Sequence, residues 1–328
     1  LTFHLALGSM LDKNQRIEKI VDDLLPFFDL TKEEIRYTRR AAQLCKADLV
    51  TNMVIEMTSL QGTMGKYYAQ LSGEPEEVAL ALEEQYFPRF AGDSVPTSKI
   101  GLILGLADRF DSLAGLFAVN MAPNGTKDPF ALRRAAISII QNLIEWKMDF
   151  DINQGLSIAA KYLPIKMKTA DYDACVNFVR GRLENYLLEN GLRYDIVSAV
   201  EAAQGNIPYR AFQAAQQLSA WVARKDWLEI LQAFSRCVRI TRDIPHRFMP
   251  NKKFLLDISL FKRLGVTEIP RAEASPSYFI LRLKNSKETF DKNGKVTLED
   301  LENSGLKISG ELEGTTSMLK EIEGYKDS

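Results

Sequence analysis

Lys127-Asp-Pro-Phe-Ala-Leu-Arg-Arg-Ala-Ala136 is the stretch that decides the fold. Aspartate offers an oxygen to the orphan amides of a helix start, and proline, with no amide to lose, fits the first helical position. The sequence therefore predicts Asp128 as the cap and Pro129 as the first residue of a helix. Beyond them Leu132, Ala135, Ala136, Ile139, Ile140, Leu143 and Ile144 return every three or four positions, the spacing of one apolar helix face.

Working outward, the same period continues almost without pause from Asp12 to about Cys237. Helices are predicted near 13–25, 31–58, 76–87, 98–119, 152–162, 171–190, 193–203 and 208–236, punctuated by Gly, Pro and Asn. Phe90-Ala-Gly-Asp-Ser-Val-Pro96 and Met121-Ala-Pro-Asn-Gly-Thr126 read as loops joining helices. From about 151 Tyr, Trp and Gln enter the apolar positions, which suggests a boundary near 150. Past about 244 the character changes: Ser275 to Leu283 is strand-like, and Asp291-Lys-Asn-Gly-Lys295 has the form of a hairpin turn between Thr289-Phe290 and Val296-Thr297. The expected class is mainly α, with a helical domain over 1–150, a second helical block over 151–243, and a tail over 244–328 that is either α+β or disordered.

Composition narrows the function classes. At 328 residues, 46% hydrophobic and 26% charged, the chain has the make-up of a soluble globular protein of about two domains. No apolar run approaches the ~20 residues a membrane helix needs. Net charge is −1, so a polyanion would have to be gripped by local basic surface. Leu1-Thr-Phe-His4 reads as a fragment boundary rather than a signal peptide. Cys45, Cys175 and Cys237 are odd in number and far apart, which fits a reducing, cytosol-like compartment and argues against zinc. With His4 and His246 as the only histidines, metal and triad chemistry is hard to assemble. Phosphate-binding glycine loops and the G-x-S-x-G nucleophile elbow are missing. Phe290 to Leu301 resembles a calcium loop two residues short, with Thr289 where the first carboxylate belongs if Gly294 takes the turn.

Cys45-Lys-Ala-Asp48-Leu49 and Leu106-Ala-Asp108-Arg-Phe-Asp111-Ser-Leu113, each on a predicted helix, resemble in spacing the all-helical HD superfamily of phosphohydrolases. Those enzymes hold a metal with a His-Asp doublet and a later Asp. Here Lys46 and Ala47 precede Asp48, and no histidine lies nearby. Without imidazoles the ion has no ligand set, so Lys46, Asp48 and Asp108 read as vestigial positions with no catalytic residue and no metal. At helical spacing Leu44, Cys45, Thr51 and Asn52 surround Asp48 and leave it half-buried, so its carboxylate must be paired or hydrogen-bonded. An ion pair or a cap is one use for such a group, and a residual functional role is the other.

Basic residues gather in two places. Lys127, Arg133 and Arg134 form a small cluster, and Arg236, Arg239 and Arg242 belong to a positive stretch from Trp221 to Arg263 that includes Trp227 and Phe234. Such a stretch is either a solvated face or a surface that follows a phosphate backbone and stacks on exposed bases.

Read together, several strings carry a further likeness. Leu7-Gly-Ser-Met-Leu-Asp-Lys13 with Arg16-Ile17, Lys46 to Glu56, Leu60 to Ala69, Pro88 to Asp93, Leu106 to Asp111 and Lys127 to Ala135 resemble, in order and spacing, the β subunit of bacterial-type glycyl-tRNA synthetase. Phe178 to Tyr186, Asp195 to Val200 and Ser235 to Ile240 extend the likeness, whereas 244–328 carry none. The resemblance implies a division of labour. The α subunit carries the class II core where glycine, ATP and Mg meet, and the β subunit engages tRNA(Gly) in an α2β2 or fused assembly. By that likeness the chain is a tRNA-binding β fragment with no cofactor of its own, cytoplasmic or in a plastid or other organelle stroma. Lys127, Arg133, Arg134, Arg236, Arg239 and Arg242 are then its candidate phosphate contacts. An active HD-type nucleotide phosphohydrolase and an α-docking scaffold without tRNA binding are the competing readings.

Overall fold

The computed structural model describes residues 1–90 and 92–240, together with five short strands in the remainder. The helices are α1 (Met10–Leu24), α2 (Lys32–Leu44), α3 (Asn52–Glu56), α4 (Thr63–Leu71), α5 (Glu76–Glu84), α6 (Lys99–Ala118), α7 (Leu132–Glu145), α8 (Ile152–Lys161), α9 (Thr169–Glu189), α10 (Tyr194–Gln204), α11 (Pro208–Val222) and α12 (Trp227–Ile240). Mainly α is the class observed. A small antiparallel pair, β1 (Thr2–His4) and β2 (Gly8–Ser9), precedes α1.

Local chemistry explains where α1 and α2 begin. Ser9 Oγ accepts from Asp12 N at 3.2 Å while the Asp12 carboxylate accepts from Ser9 N at 2.6 Å. Thr31 and Glu34 repeat that reciprocal arrangement at the head of α2, at 3.2 and 2.7 Å. The start of α7 differs from the sequence expectation. Asp128, Pro129 and Phe130 form a turn, Ala131 adopts a left-handed φ of 53°, and the helix begins at Leu132. Asp128 nevertheless caps it, accepting from Leu132 N at 2.8 Å and Arg133 N at 2.9 Å. The expected apolar face of α7 is buried.

Leu1–Val222 form one compact unit. Its axis is α6, apolar on nearly every side, against which α1, α2, α5, α7, α8 and α9 pack. The core runs through the boundary expected near 150: Phe150 is buried, lies 6.1 Å from the Phe110 ring, and meets Phe27 edge-on at 5.3 Å. Phe110 and Phe150, both fully buried, each contribute roughly 1.5–3 kcal/mol by leaving water.

The helix predicted over 31–58 stops at Leu44, because the Cys45 carbonyl accepts from Gln85 Nε2 at 3.0 Å, a partner brought in from the end of α5. A 3-10 turn over Ala47–Val50 and the short α3 follow, and α4 was not foreseen. The helix expected over 208–236 is divided between α11 and α12 by Ala223–Asp226, where Arg224 grips Asp226 through two hydrogen bonds.

The second unit, Ala223–Ser328, contains α12 and the five strands. β3 (Phe254–Leu256), β7 (Ile308–Leu312) and β5 (Phe279–Leu283) form an antiparallel sheet in that order, and β4 (Glu268–Ile269) pairs with β6 (Val296–Thr297). The strand expected at the end of Ser275–Leu283 is thus present as β5. Val296-Thr297 pairs with Glu268-Ile269; Thr289-Phe290, the predicted hairpin turn, most of the calcium-like loop and Arg242 lie outside the described residues. Among the described residues no helix is long and apolar enough to cross a membrane.

Candidate functional site

The chemistry gathers on α6, which carries Asp108, Arg109, Asp111 and Ser112 within about one turn. Lys13 and Arg16 stand three residues apart on α1 and so share the face turned to α6. Lys13 Nζ lies 2.9 Å from Asp108 Oδ1, 3.0 Å from Asp111 Oδ2 and 2.8 Å from Ser112 Oγ. Arg16 clasps the fully buried Asp111 with Nε at 2.6 Å and Nη2 at 3.1 Å, and donates through Nη1 to the Leu7 carbonyl at 2.8 Å. From the end of α2, Lys46 Nζ reaches Asp108 Oδ2 at 2.8 Å, Gln85 Oε1 at 3.2 Å and the Tyr86 hydroxyl at 3.3 Å. Three cations therefore serve two carboxylates in a nearly dry setting.

Electrostatics follow from that arrangement. Burial alone would raise the Asp108 carboxyl, but the Lys13 and Lys46 ammoniums override it and hold the group well below the usual carboxylate range. Burial likewise opposes charge on Lys46, and Asp108 reverses the outcome, keeping the ammonium protonated. Arg109 is pushed down to about 10 by burial, against the pull of Asp108, and stays charged at neutral pH. Its guanidinium donates to the carbonyls of Gln85, Gly105 and Phe87 at 2.7, 2.9 and 2.9 Å, which engage three of its five N–H groups without cancelling its charge. Glycine is required at 105: a Cβ there would sit 2.7 Å from Arg109 Nη1 and 2.8 Å from the Gln85 carbonyl oxygen.

Asp48 belongs to a different place. It is buried, on the 3-10 turn rather than a helix, and its carboxylate accepts from Gly62 N at 2.6 Å, at the head of α4. Gly62 takes φ of 83°, a conformation that favours glycine. Asp48 lines a cavity of about 290 Å³ with Arg40 and Glu74, whereas Asp108 lines another of about 410 Å³. The two expected uses for the aspartates, a cap and an ion pair, are divided between them.

These residues do not fit a hydrolytic metal. Both Asp108 oxygens lie against ammoniums, at 2.9 and 2.8 Å; Oδ2 accepts a hydrogen bond from Lys46 and Oδ1 is held by the Lys13 charge alone, so a dication at this carboxylate would meet two ammoniums. Among the described residues no group of three His, Cys, Asp or Glu side chains could enclose one.

The basic candidates separate by environment. Lys127 and Arg134 are exposed, and their side chains have no hydrogen bond or ion pair with a described residue. Arg133 is half-buried and tied to the Gly125 carbonyl, with Asp128 4.0 Å away. Arg236 and Arg239 are exposed on α12 in the second unit, and Arg239 Nε donates to the Ser235 carbonyl at 3.3 Å. Sequence reasoning did not single out the roles of Lys13, Arg16, Arg89 or Arg109. The signal available for the first two was a pair of charges on the apolar face of α1, alongside Ile17 and Ile20.

Comparison with known proteins places this geometry in a lineage. The family model described as glycyl-tRNA synthetase beta subunit matches residues 1–202. The glycine-tRNA ligase beta subunit of Moorella thermoacetica is 36% identical over 254 residues, covering 76% of this chain and 37% of that protein. Its counterpart from Clostridioides difficile is 40% identical over 238 residues, 72% of this chain and 34% of that protein. A chloroplastic/mitochondrial glycine-tRNA ligase of Arabidopsis thaliana is 36% identical, covering 74% of this chain and 23% of its own length. The chain spans roughly a third of the length of the bacterial relatives it matches. It belongs to the glycyl-tRNA synthetase beta subunit family.

Proposed function

We propose that this chain is the tRNA-engaging part of a glycine-tRNA ligase β subunit, holding tRNA(Gly) while glycine, ATP and Mg react on a separate α subunit or fused α part. One observation carries the reading: the carboxylate at the vestigial metal position is sealed by Lys13 and Lys46, while Lys127, Arg134 and Arg236 face solvent without a carboxylate partner among the described residues. Charge that folding does not consume is available to a polyanion. The catalytic contribution is orientation, since fixing the acceptor end in a neighbouring active site removes entropy from the barrier without bond chemistry in this chain. The names of the relatives support an α partner and a tRNA substrate, and the chloroplastic/mitochondrial relative supports the organellar alternative to a cytoplasmic setting.

Filter binding of tRNA(Gly) to the chain at several salt concentrations tests this. Lys127→Ala with Arg133→Ala, and separately Arg236→Ala with Arg239→Ala, should each weaken retention and flatten the log–log salt slope by about one unit per lost phosphate contact. Slopes unchanged in both double variants would refute the assignment.

A further inference from the structure

The cavity of about 410 Å³ beside Asp108 has a lining whose charge does not balance. Arg89, Arg109 and Arg134 contribute to its wall, and among the described residues Asp108 is the one carboxylate there, already held by two ammoniums. Arg109 spends its protons on carbonyls, and Arg89 Nη2 donates to the Gln61 carbonyl and Thr63 Oγ1 at 3.3 and 3.4 Å, so neither guanidinium meets an anion. Arg89 Nε is buried with no hydrogen-bond partner among the described residues, a donor that a native interior rarely leaves unused. Arg134 stands exposed with no described partner. Phe130 and Ala131, just before α7, and Arg134 and Ala135 in its first turn line the same wall; the Leu132 and Arg133 amides at the helix start are already held by the Asp128 carboxylate, so the charge α7 brings to the cavity is the Arg134 guanidinium. Thr58 and Ser59 offer hydroxyls, whereas the Ser112 proton goes to the Asp108 carbonyl, and Phe130 offers aromatic surface.

The geometry points to a phosphoryl-binding site in this cavity, one that takes the phosphate of a nucleotide between Arg89 and Arg134. The chemistry matches at each point: planar guanidiniums pair bidentately with phosphate oxygens, hydroxyls complete the shell, and an aromatic side chain can receive a base. Two ammoniums, of Lys13 and Lys46, cancel the Asp108 charge so that it does not repel the anion. The phosphate belongs either to an unpaired nucleotide of RNA, a source that rests on the tRNA reading above, or to a free nucleotide.

Titration of the full chain with AMP at low salt, by calorimetry, tests the site directly. AMP should bind, Arg134→Ala should weaken it by at least about tenfold, and Arg134→Glu should abolish it. Because Arg134 is exposed and unpartnered, both variants should keep the wild-type melting temperature, which separates lost binding from lost fold. Arg89→Lys, which keeps the charge but loses the fork, should weaken AMP as well. A 5′-phosphorylated trinucleotide distinguishes the sources: displacement of AMP by the trinucleotide at lower concentration than by AMP itself assigns the site to RNA, and weaker displacement assigns it to free nucleotide. Undetectable AMP binding to the wild type, or AMP affinity equal in wild type and both Arg134 variants, overturns the site. Failure of wild-type tRNA retention on filters, with AMP binding intact, would instead overturn the tRNA reading and leave the site standing.

Discussion

Replacing Asp111 by asparagine should cost far more stability than replacing Lys13 by methionine, although the two side chains form the same ion pair. In the wild type Lys13, Arg16 and Lys46 share Asp108 and Asp111, and all but Asp108 are less than a tenth exposed, Asp108 being 15% exposed. Asn at 111 keeps the volume but leaves three buried cations on one carboxylate, with Arg16 stripped of its only acidic partner among the described residues. Leaving a buried charge uncompensated costs about 3–5 kcal/mol. Lys13→Met removes a cation yet leaves each carboxylate with one, Asp111 with Arg16 and Asp108 with Lys46, so the loss should be about 1–2 kcal/mol, mainly the bonds to Ser112 and the Asp108 carbonyl. Urea unfolding followed by far-UV circular dichroism separates the two, with the difference in midpoint read at constant m. Adding Arg16→Met to Asp111→Asn should recover part of the loss, because the cycle then removes the orphaned charge. If Lys13→Met proved as costly as Asp111→Asn, or Asp111→Asn cost under about 1 kcal/mol, the counting of charges in this cluster would be refuted.

Gly105→Ala drives a Cβ against a backbone oxygen that cannot yield, so about 1–3 kcal/mol should be lost, visible as a lower melting temperature; an unchanged melt would count against the Arg109 clasp. Asp108, depressed when folded, contributes stability that is present above the unfolded carboxylate value of about 3.9 and is lost as pH falls below it, so Asp108→Asn should flatten the decline of urea stability between neutral pH and pH ~3. A steeper decline in the variant would reverse the sign of that contribution. Burial pushes the Cys45 thiol up to about 12, so iodoacetamide should label it only on unfolding; mass spectrometry of natively treated chain that finds Cys45 modified within minutes would contradict its environment.

The helical architecture was legible because its cause is local. Apolar residues at three- and four-residue intervals on α7, and the Asp128 cap, identify a helix from neighbouring positions alone, and the structure moved the start by only three residues. The break after Leu44 was illegible because a Gln85 amide ends that helix, and nothing near 45 announces Gln85. Asp48 and Asp108 were read as one vestigial pair on the strength of spacing, yet the chain sends them to separate cavities. The positive cluster at Lys127, Arg133 and Arg134 was visible, but not that Arg134 alone of the three lines the cavity where Arg89 and Arg109 converge.

Sequence by itself therefore determined the mainly helical class, most of the helices, the family strings and the lack of imidazoles around Asp108, all of which depend on residue type and near-neighbour spacing. Tertiary structure alone decided what Asp108 became. Lys46 and Lys13 lie 62 and 95 positions away along the chain, and only the packing of α1 and the end of α2 against α6 carries their ammoniums to its two oxygens. The same packing strips most of the water from Asp108, and a carboxylate so poorly hydrated takes whatever cation the fold delivers.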